Sequence, residues 1–590
     1  MALGRFREAL LFDEKAMAEI QRCIHAGDGT SQEEAPIYAV NRGRLYLRLG
    51  RINEAEHILQ QALPCISAPR RKYGMFAKEA LEEIRQWRQR TGGSQHQLDW
   101  RWVERFRDLS AHSSTWWLTW AGPFTEEEQR EWDRLFVFPF NEAVKAPLEQ
   151  LMKSSREREL EAAIREQREP RLRYPALPIE EIQREINGLE QLSEDVGQQE
   201  PNAIVRRLYQ EVIEEELDYL HLLEATYEEN TERFWQYNLR LFPLPGIDDM
   251  NYAFAHITSL LRQGAAVPEL ASVSQQIEEM LQTRFHLSSD PGQDDMEEWE
   301  RPAAPPDNAT PTEAEPERKI SAQAVKRFFE SVLQESGYDE WRVVIDLNTT
   351  GARVSPGARH LILPEHQFTL AEVHHLFSHE FAGHAARFMA GEHSLLGLLG
   401  IHTRNYLPTE EGLALYHDRQ EAQRSGRDFN DEGLRWMTFA VGLASGIMTP
   451  PQTFLALFTF FEALTFLHGR LRYPHVERQK TQAYAHSYAL SLCLRIYRGV
   501  PNLNRAGVCF LQDALYFHGL RQIEQAVAED ETVLERLAVG ACALEDLPAL
   551  QELGIIAPPP ALRKLAAAWD LDAYILSFDE KPEKQRDEYG

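Results

Sequence analysis

Residues 288 to 318 cannot contribute to a packed core, and this limits how the rest of the chain folds. Prolines alternate there with aspartate and glutamate, and apolar residues are few. Such a segment buries too little apolar surface to offset the entropy that is lost on ordering. We therefore predict a disordered acidic linker between a helical N-terminal half and a second half that contains strands.

A chain of 590 residues is too long for one compact core, and we expect two to four domains. The predicted segments are tetratricopeptide-like repeats (1–97), a tryptophan-rich helical connector (98–165), a helical region (166–287), the linker (288–318), a larger mixed domain (319–578) and a charged tail (579–590). The predicted fold class is mostly α, formally α+β, with a small β-sheet in the mixed domain.

Residues 37 to 63 carry small and apolar residues where a tetratricopeptide hairpin needs them. The stretch from Gly4 to Ala9 repeats part of this pattern. Helical pairs of this kind bury their apolar faces only by stacking on neighbours. We interpret the segment as a helical cap on the main domain, with a docking arm for a protein partner as the alternative.

The pattern of apolar residues in the rest of the chain predicts helices, with one short stretch of strands. Tryptophans are dense between residues 98 and 140, which favours core between helical layers over a partner surface. Apolar residues recur every three or four positions from 157 to 264, as in helices. Helix resumes at Ala322, and strands are predicted at 342–347 and 360–363 with a turn at Pro356 between them.

Net charge and cysteine usage exclude some classes of protein. The net charge of −29, with a pI near 5.2, argues against a nucleic-acid partner because no surplus of cations neutralises phosphates. Five cysteines are far apart and form no Cys-x-x-Cys pair, which favours a reducing compartment. The N-terminus lacks a signal-peptide pattern, and the apolar run 454–467, interrupted by Glu462, indicates a buried helix rather than a membrane span. We expect a cytoplasmic protein.

Two motifs carry the chemistry. The first is His379-Glu380-Phe381-Ala382-Gly383-His384, and the second is Thr409-Glu410-Glu411-Gly412-Leu413-Ala414. Two imidazoles and a downstream carboxylate can hold one zinc ion, while the remaining carboxylate takes a proton from water. The pattern therefore predicts a metallohydrolase, most simply a peptidase.

The spacing of the two histidines demands a local distortion. Residues at i and i+5 lie about 140° apart on an ideal helix, too far round to bind one ion. The helix must therefore widen, as a π-bulge does, or end near His384, and Gly383 lies where distortion is easiest. His375 and His379, at i and i+4, are a competing pair that needs no distortion.

The two motifs together resemble the microtubule-associated tyrosine carboxypeptidase family, whose bacterial members carry a Gln-Glu-Gly-Leu-Ala motif. Further similar stretches are Ala352–Val354, Tyr497–Gly499, Phe510–Gly519, and Leu547–Leu550 with the following Gly554 and Pro558. The helical region from Pro170 to Leu261 also resembles the N-terminal half of the family. The resemblance covers residues 170 to 575, with the acidic linker as an insertion.

This resemblance implies the roles of the motif residues. It makes His379, His384 and Glu411 the ligands of one Zn2+ ion and Glu380 the general base. Glu411 is preferred over Glu410 because the bacterial motif has glutamine at the position of Glu410, and an amide is a poor zinc ligand. The resemblance thus implies a zincin-like catalytic domain over residues 319–578.

The substrate contacts are less defined. Where the family usually has Lys-Asp, this chain has Gln512-Asp513, which puts recognition of a substrate carboxylate in doubt. Arg495 or Arg498 could supply the charge, since a guanidinium binds a carboxylate through two hydrogen bonds. Structural ion pairs are the alternative for both arginines.

The predicted function is a zinc metallopeptidase, of carboxypeptidase type, acting on protein or peptide C-termini. Tyr497, Tyr516 and His518 are candidates for stabilising the oxyanion or orienting the substrate. Two alternatives stay open. One is a non-catalytic adaptor with a vestigial or structural zinc site, and the other is a hydrolase of a non-peptide amide.

Overall fold

The computed structural model describes residues 29–48, 52–66, 71–90, 97–109, 120–136, 145–175, 179–287, 319–338, 340–347, 349, 351–426, 429–555 and 571–579. The predicted linker, nearly all of the charged tail and the repeat copy at Gly4 to Ala9 lie outside these residues. Helix makes up 71% of the structure, and the sheets are small. The prediction of a mostly helical α+β fold is confirmed at this level.

The described residues up to 287 form helices and their connections, with one isolated β-bridge between Ala121 and Arg173. Its helices are α1 (Gly29–Arg48), α2 (Ile52–Ala62), α3 (Arg71–Arg90), α4 (Val103–Leu109), α5 (Glu126–Leu135), α6 (Lys145–Glu166), α7 (Ile179–Gln199), α8 (Ala203–Tyr227), α9 (Thr231–Leu241), α10 (Ile247–Ala265) and α11 (Ala271–Thr283). Helix starts follow capping chemistry. The side chain of Asn202, for example, accepts hydrogen bonds from the N–H groups of Ile204 and Val205 at the start of α8.

Helices α1, α2 and α3 share a small core of their own. Its buried residues are Val40, Ala55, Leu59, Ala62, Ala77, Ala80 and Ile84. Three of the predicted packing positions, Ala55, Leu59 and Ala62, are thus buried. Gly43 faces Leu59 so closely that an added Cβ would lie 2.5 Å from its Cγ. A hairpin packed through small residues follows from this contact, while a tetratricopeptide repeat remains a prediction.

Two small sheets follow. Strand β1 (Lys319–Ser321) leads directly into helix α12 (Ala322–Glu335) and pairs antiparallel with β5 (Gln367–Thr369). The second sheet has the order β2-β4-β3, formed by Arg342–Asp346, His360–Pro364 and Arg353–Ser355.

The sequence predicted β2 and β4 with a turn between them. Both strands and the turn at Pro356 are present. However, β2 and β4 pair in parallel. Strand β3, which lies between them in the sequence, pairs antiparallel with the other edge of β4. With only three residues, β3 gave no periodic signal in the sequence.

The last part of the chain is again helical. Its elements are α13 (Leu370–Leu376), a π-helical segment (Phe377–Ala385), α14 (Ala386–Glu392), α15 (Tyr406–Arg424), α16 (Glu432–Ser445), α17 (Phe454–Arg472), α18 (Arg478–Ile496), α19 (Leu515–Glu529), α20 (Val533–Leu537), α21 (Leu547–Glu552) and α22 (Leu571–Asp579). Helix α17 is long and apolar enough to cross a membrane by length and composition alone. More than half of its apolar window, 56%, is buried inside the fold, as expected of a core helix.

Two larger cores position the motifs. One joins helices from both sides of the 288–318 segment, since Leu223 and Ile257 belong to the same buried cluster as Phe460 and Leu511. The other packs the small sheet, through Leu361 and other residues, against the π-helical segment. The expected small sheet beside the motif helix is therefore present.

Candidate metal centre

The helix that carries both motif histidines changes its hydrogen-bond pattern at the motif. Helix α13 continues into the π-helical segment before α14 resumes regular geometry. A π-helix forms i→i+5 hydrogen bonds, so residues five apart lie nearly above one another. His379 and His384 accordingly lie close, with ring centroids 5.0 Å apart and planes at 80°. The predicted widening of the helix is confirmed.

Phenylalanines hold this segment in place. Phe377 and Phe381 stack with ring centroids 5.6 Å apart. Phe381 is fully buried and lies 6.1 Å from Phe329 of α12. Burying such rings contributes on the order of 2–3 kcal/mol each, which fixes the side of the helix that faces the core. The histidines are thereby directed to the opposite side, toward α15.

Helix α15 supplies the third donor. His379, His384 and Glu411 each offer a ligand atom, and these atoms lie within 4.8 Å of one another. Nε2 of His384 and Oε2 of Glu411 are 3.9 Å apart. Donor atoms in a tetrahedral zinc site are separated by about 3.3–3.5 Å, given bonds of about 2.0–2.2 Å. A shift of roughly half an ångström would bring this pair into that range.

Close backbone contacts bring α15 to this position. A Cβ on Gly383 would lie 2.7 Å from the Cβ of Ala414 and 2.8 Å from its Cα. On the other side of α15, a Cβ on Gly412 would overlap the backbone of Gly519 in α19. We expected Gly383 to ease the helix distortion, but the structure gives it a packing reason. Because Gly383 has no side chain, α15 can pack close enough for Glu411 to approach the two rings.

A carboxylate orients each histidine from behind. Nδ1 of His379 lies 2.8 Å from Oδ2 of Asp418, and Nδ1 of His384 lies 3.0 Å from Oε1 of Glu410. Such bonds fix the tautomer and the ring orientation, and they leave Nε2 as the metal-binding atom. The arrangement is therefore that of imidazoles prepared to bind a cation, with a second layer of carboxylates behind them.

The two neighbouring glutamates differ in their surroundings. Glu410 is 2% exposed and bonds both His384 and the guanidinium of Arg387. Arg387, also buried, donates in addition to two backbone carbonyls. Glu410 is thus occupied by protein partners, while Glu411 faces Nε2 of His384. This geometry favours Glu411 over Glu410 as the ligand.

The electric field at the rings favours positive charge. Burial lowers the pKa of His384, but the hydrogen bond with Glu410 and the charges of Glu410, Glu411 and Glu380 raise it to about 9. Burial raises the pKa of Glu411, the charges of Glu410 and Glu380 raise it further, and His384 and His379 oppose them. Glu380 therefore acts electrostatically on two members of the donor set. A proton on His384 or a bound divalent cation would each supply the positive charge that these carboxylates stabilise.

A second group of donors shares one histidine with the first. His375, His379 and Asp418 also bring ligand atoms within 4.8 Å of one another. Nδ1 of His375 lies 3.0 Å from Oδ1 of Asp418, and the ring is 56% exposed. The first group is more buried and has separate carboxylates behind its rings, whereas this group uses its own carboxylate for both. The structure thus favours the first group over the competing pair seen in the sequence.

Arg495 and Arg498 both reach the buried carboxylate of Asp513. The Nη2 atoms of Arg495 and Arg498 lie 2.7 Å and 3.5 Å from its Oδ1 atom. Arg498 also donates to Gln512 and lies 4.7 Å from the ring centre of Phe510. The side chain of Arg495 is 45% exposed, against 20% for Arg498. Both arginines therefore form structural ion pairs with Asp513, and the side chain of Arg495 is still partly exposed to solvent.

Tyr516 is influenced by the charges of both Glu411 and the two arginines. Burial raises the pKa of its hydroxyl, the charges of Glu411 and Asp513 raise it further, and Arg495 and Arg498 oppose them. The hydroxyl is thus within electrostatic reach of both groups. It remains protonated and able to donate a hydrogen bond at neutral pH.

Tyr497 and His518 are not brought to the donor set. The hydroxyl of Tyr497 is in the core and donates to the carbonyl of Gln452 at 2.8 Å. His518 lies 3.2 Å from Asp249, which Arg521 also contacts. Tyr497 is a candidate because the stretch Tyr497–Gly499 resembles the family, and its burial does not favour contact with a substrate. The substrate roles of Tyr497 and His518 stay predictions.

A cavity of about 550 Å³ opens next to the second donor group. Asp418 and Arg495 both line it, together with apolar side chains such as Phe429, Leu434 and Met437. A peptide end that enters the cavity can therefore meet a guanidinium close to the carboxylate that orients His379. The cavity is large enough for one amino-acid side chain.

Sequence reasoning missed Asp418 and Arg387. Asp418 follows Glu411 by seven residues, close to two helical turns, so both lie on one face of α15. That spacing could have revealed it. Arg387 offered no comparable signal, because its role depends on contacts with Glu410 and with carbonyls distant in the chain.

Comparison with known proteins adds a family match over part of the chain. Residues 473–581 match the family described as microtubule-associated tyrosine carboxypeptidase. This stretch begins after both motifs and contains Arg495, Arg498 and Tyr516. The match suggests a carboxypeptidase-like hydrolase with a protein or peptide substrate.

The other comparisons are weaker. No curated protein matches the sequence. Three chains of solved structure match, among them one titled "The structure of a putative lipoprotein of unknown function from Shewanella oneidensis". It is 9% identical, covers 94% of this chain and 100% of its own, and has a TM-score of 0.29. That score is too low to support an argument about fold or function, so the partial family match is the comparison that informs the proposal.

Proposed function

We propose that this chain is a zinc-dependent metallopeptidase of carboxypeptidase type, acting on the C-terminal region of a protein or peptide. The observation that carries the proposal is the convergence of His379, His384 and Glu411, with both rings oriented by carboxylates. The family match over residues 473–581 supports the reaction type.

In this mechanism, His379, His384 and Glu411 would hold one Zn2+ ion. Zinc held there would supply a Lewis acid that makes water a stronger nucleophile at neutral pH. The carboxylate of Glu380 would accept a proton from the attacking water and return it to the leaving amine. The carboxylates behind the two rings keep the protons on Nδ1, so that Nε2 stays available.

Substrate binding in this proposal uses Arg495 and Tyr516. Arg495 holds the C-terminal carboxylate of the substrate from its exposed face, since a guanidinium forms two parallel hydrogen bonds with a carboxylate. The hydroxyl of Tyr516 donates a hydrogen bond to the oxygen that becomes negative during attack. Gln512 is already bonded by Arg498, so Arg495 is the better replacement for the lysine of the resembling family.

Replacing Glu380 by glutamine tests the proposal. Glu380→Gln removes the proton acceptor but leaves the three ligands, so we expect at least about a 100-fold loss of hydrolysis with zinc content unchanged. The assay is digestion of a peptide library, with and without a chelator, read by mass spectrometry. Glu365→Gln, at an exposed glutamate in the loop before β5, is the control and should keep full activity.

The outcomes separate the candidate functions. Loss of single C-terminal residues supports a carboxypeptidase, and internal cuts indicate an endopeptidase. Turnover that persists in Glu380→Gln refutes the role of this glutamate. A wild-type chain that binds zinc but cleaves no peptide would instead favour the adaptor.

Two further proposals concern location and partners. Cysteine usage favours a cytoplasmic location. Helical pairs packed through small residues, as in α1 to α3, stack on neighbours, so we propose a protein partner for this segment as the alternative to a cap on the main domain. Cell fractionation would test the location. Affinity capture with the full chain and with a variant that lacks residues 1–97 would test the partner.

A further inference from the structure

We propose that His375 and Asp418 form a second, weaker site for a divalent transition-metal ion such as Zn2+. We further infer that an ion there inhibits the centre formed by His379, His384 and Glu411. Binding at the second site is independent of the proposed function, whereas the inhibition rests on it.

The geometry of the second site is already close to that of a metal site. His375 and His379 occupy successive turns of one helix, with ring centroids 5.2 Å apart. Together with Asp418 they place three ligand atoms within 4.8 Å of one another. His379 is shared with the first centre, so His375 and Asp418 are the donors that belong to the second site alone. Imidazole with carboxylate is a donor set that zinc, nickel, cobalt and copper accept.

The surroundings of His375 allow an ion to enter. Its ring is 56% exposed, and it lines the 550 Å³ cavity together with Ser378, Asp418 and Glu421. The cavity provides room for water molecules that complete the coordination. The three side chains of the first group are less exposed, at 12–17%.

The second site should bind more weakly than the first. Asp418 accepts hydrogen bonds from Nδ1 of His375, from Nδ1 of His379 and, at 2.7 Å, from the hydroxyl of Ser378. An ion on this carboxylate competes with these donors for the same oxygens. Glu411, by contrast, meets His384 only at 3.9 Å and loses little when it binds a metal.

The shared carboxylate couples the two sites. Oδ2 of Asp418 orients His379, which is a proposed ligand of the first site. An ion that draws Asp418 toward His375 weakens this orienting bond. Loss of such a bond behind a metal ligand typically costs 10–100-fold in metal affinity or activity.

Metal binding can be measured without any substrate. Titration of the metal-free full-length chain with Zn2+ in a calorimeter should show two steps. His384→Ala should remove the tighter step, and His375→Ala should remove the weaker step alone. His375→Gln serves as a second variant, and His475→Ala, which removes an exposed imidazole elsewhere, should keep both steps.

Activity then tests the coupling. Peptide hydrolysis in zinc-buffered solution should rise with free zinc and then fall by at least about tenfold as the second site fills. In His375→Ala the rise should be unchanged and the fall absent. A fall that persists in His375→Ala overturns the inhibition.

Two calorimetric results would overturn the second site. If the wild type shows one step that only His384→Ala removes, this proposal fails and the first centre stands. If one step is removed only by His375→Ala, the assignment of both sites is wrong. The failure of this inference is thus distinguishable from failure of the proposed function.

Discussion

Replacing Glu410 and Glu411 by glutamine, one at a time, separates two roles that adjacent residues play. Glu411 faces Nε2 of His384, while Glu410 bonds Nδ1 of the same ring and the guanidinium of Arg387. Glutamine keeps the shape of both side chains and removes only the charge. Any difference between the variants therefore reports on position.

The structure allows the two magnitudes to be estimated. In Glu410→Gln, a guanidinium that is 2% exposed loses its carboxylate. Breaking a buried ion pair costs about 3–5 kcal/mol, and the retained amide oxygen places the expected loss near the lower end. Zinc affinity should fall 10–100-fold, because Glu410 orients a ligand without being one.

Glu411→Gln should leave stability nearly unchanged and weaken zinc binding strongly. Among the described residues, Glu411 has no hydrogen bond of ordinary length, and its contact with His384 is 3.9 Å. The free energy of unfolding of the metal-free chain should therefore change by less than about 1 kcal/mol. Zinc affinity should fall far more than in Glu410→Gln, since a ligand is lost.

Two measurements are needed for each variant. Urea unfolding of the metal-free chain gives the change in stability, and competition with a chromophoric chelator gives the zinc affinity. The assignment is refuted if Glu410→Gln weakens zinc binding more than Glu411→Gln does. It is also refuted if both variants retain wild-type affinity.

Three other predictions follow from the same contacts. Asp418→Asn removes the charge behind His379, so chelator competition should show a 10–100-fold weaker zinc affinity, and an unchanged affinity would contradict the orienting role. Gly383→Ala places a Cβ 2.7 Å from that of Ala414, so α15 must move away. We expect at least about a tenfold loss of zinc affinity with the circular dichroism of the wild type retained, and full affinity would show that the close approach is unnecessary. The pKa of His384, raised from 6.5 to about 9, means that the folded metal-free chain holds this proton more tightly than the unfolded chain. The resulting stability is present below pH 6.5 and is lost as the pH rises through about 9, so urea unfolding should show a steeper fall than in His384→Ala. Equal slopes would refute it.

The distortion of the motif helix could be predicted from the sequence because it is a matter of spacing. Two imidazoles at i and i+5 diverge by about 140° on a regular helix, and the π-helical segment is the conformation that reunites them. The burial of α17 could also be predicted from the sequence, since an apolar run interrupted by Glu462 suits a protein core better than a bilayer.

The supporting contacts were not predictable because they depend on tertiary packing. Arg387 becomes part of the site only when Glu410 and two distant backbone carbonyls meet around it. The parallel pairing of β2 with β4 was likewise not predictable, because β3, the strand between them in the sequence, is too short to show a period. Local patterns identify donors, but the groups that orient them are set by the fold.

The partial family match and the motifs lie in different stretches of the chain, and packing is what relates them. The matched stretch, 473–581, contains α19, and the second motif lies on α15. These two helices approach so closely that neither Gly412 nor Gly519 has room for a Cβ. Tyr516, in the same helix as Gly519, is influenced by the charge of Glu411. The stretch that matches the family therefore packs directly against the helix that carries the second motif, so evidence on either segment bears on the same proposed reaction.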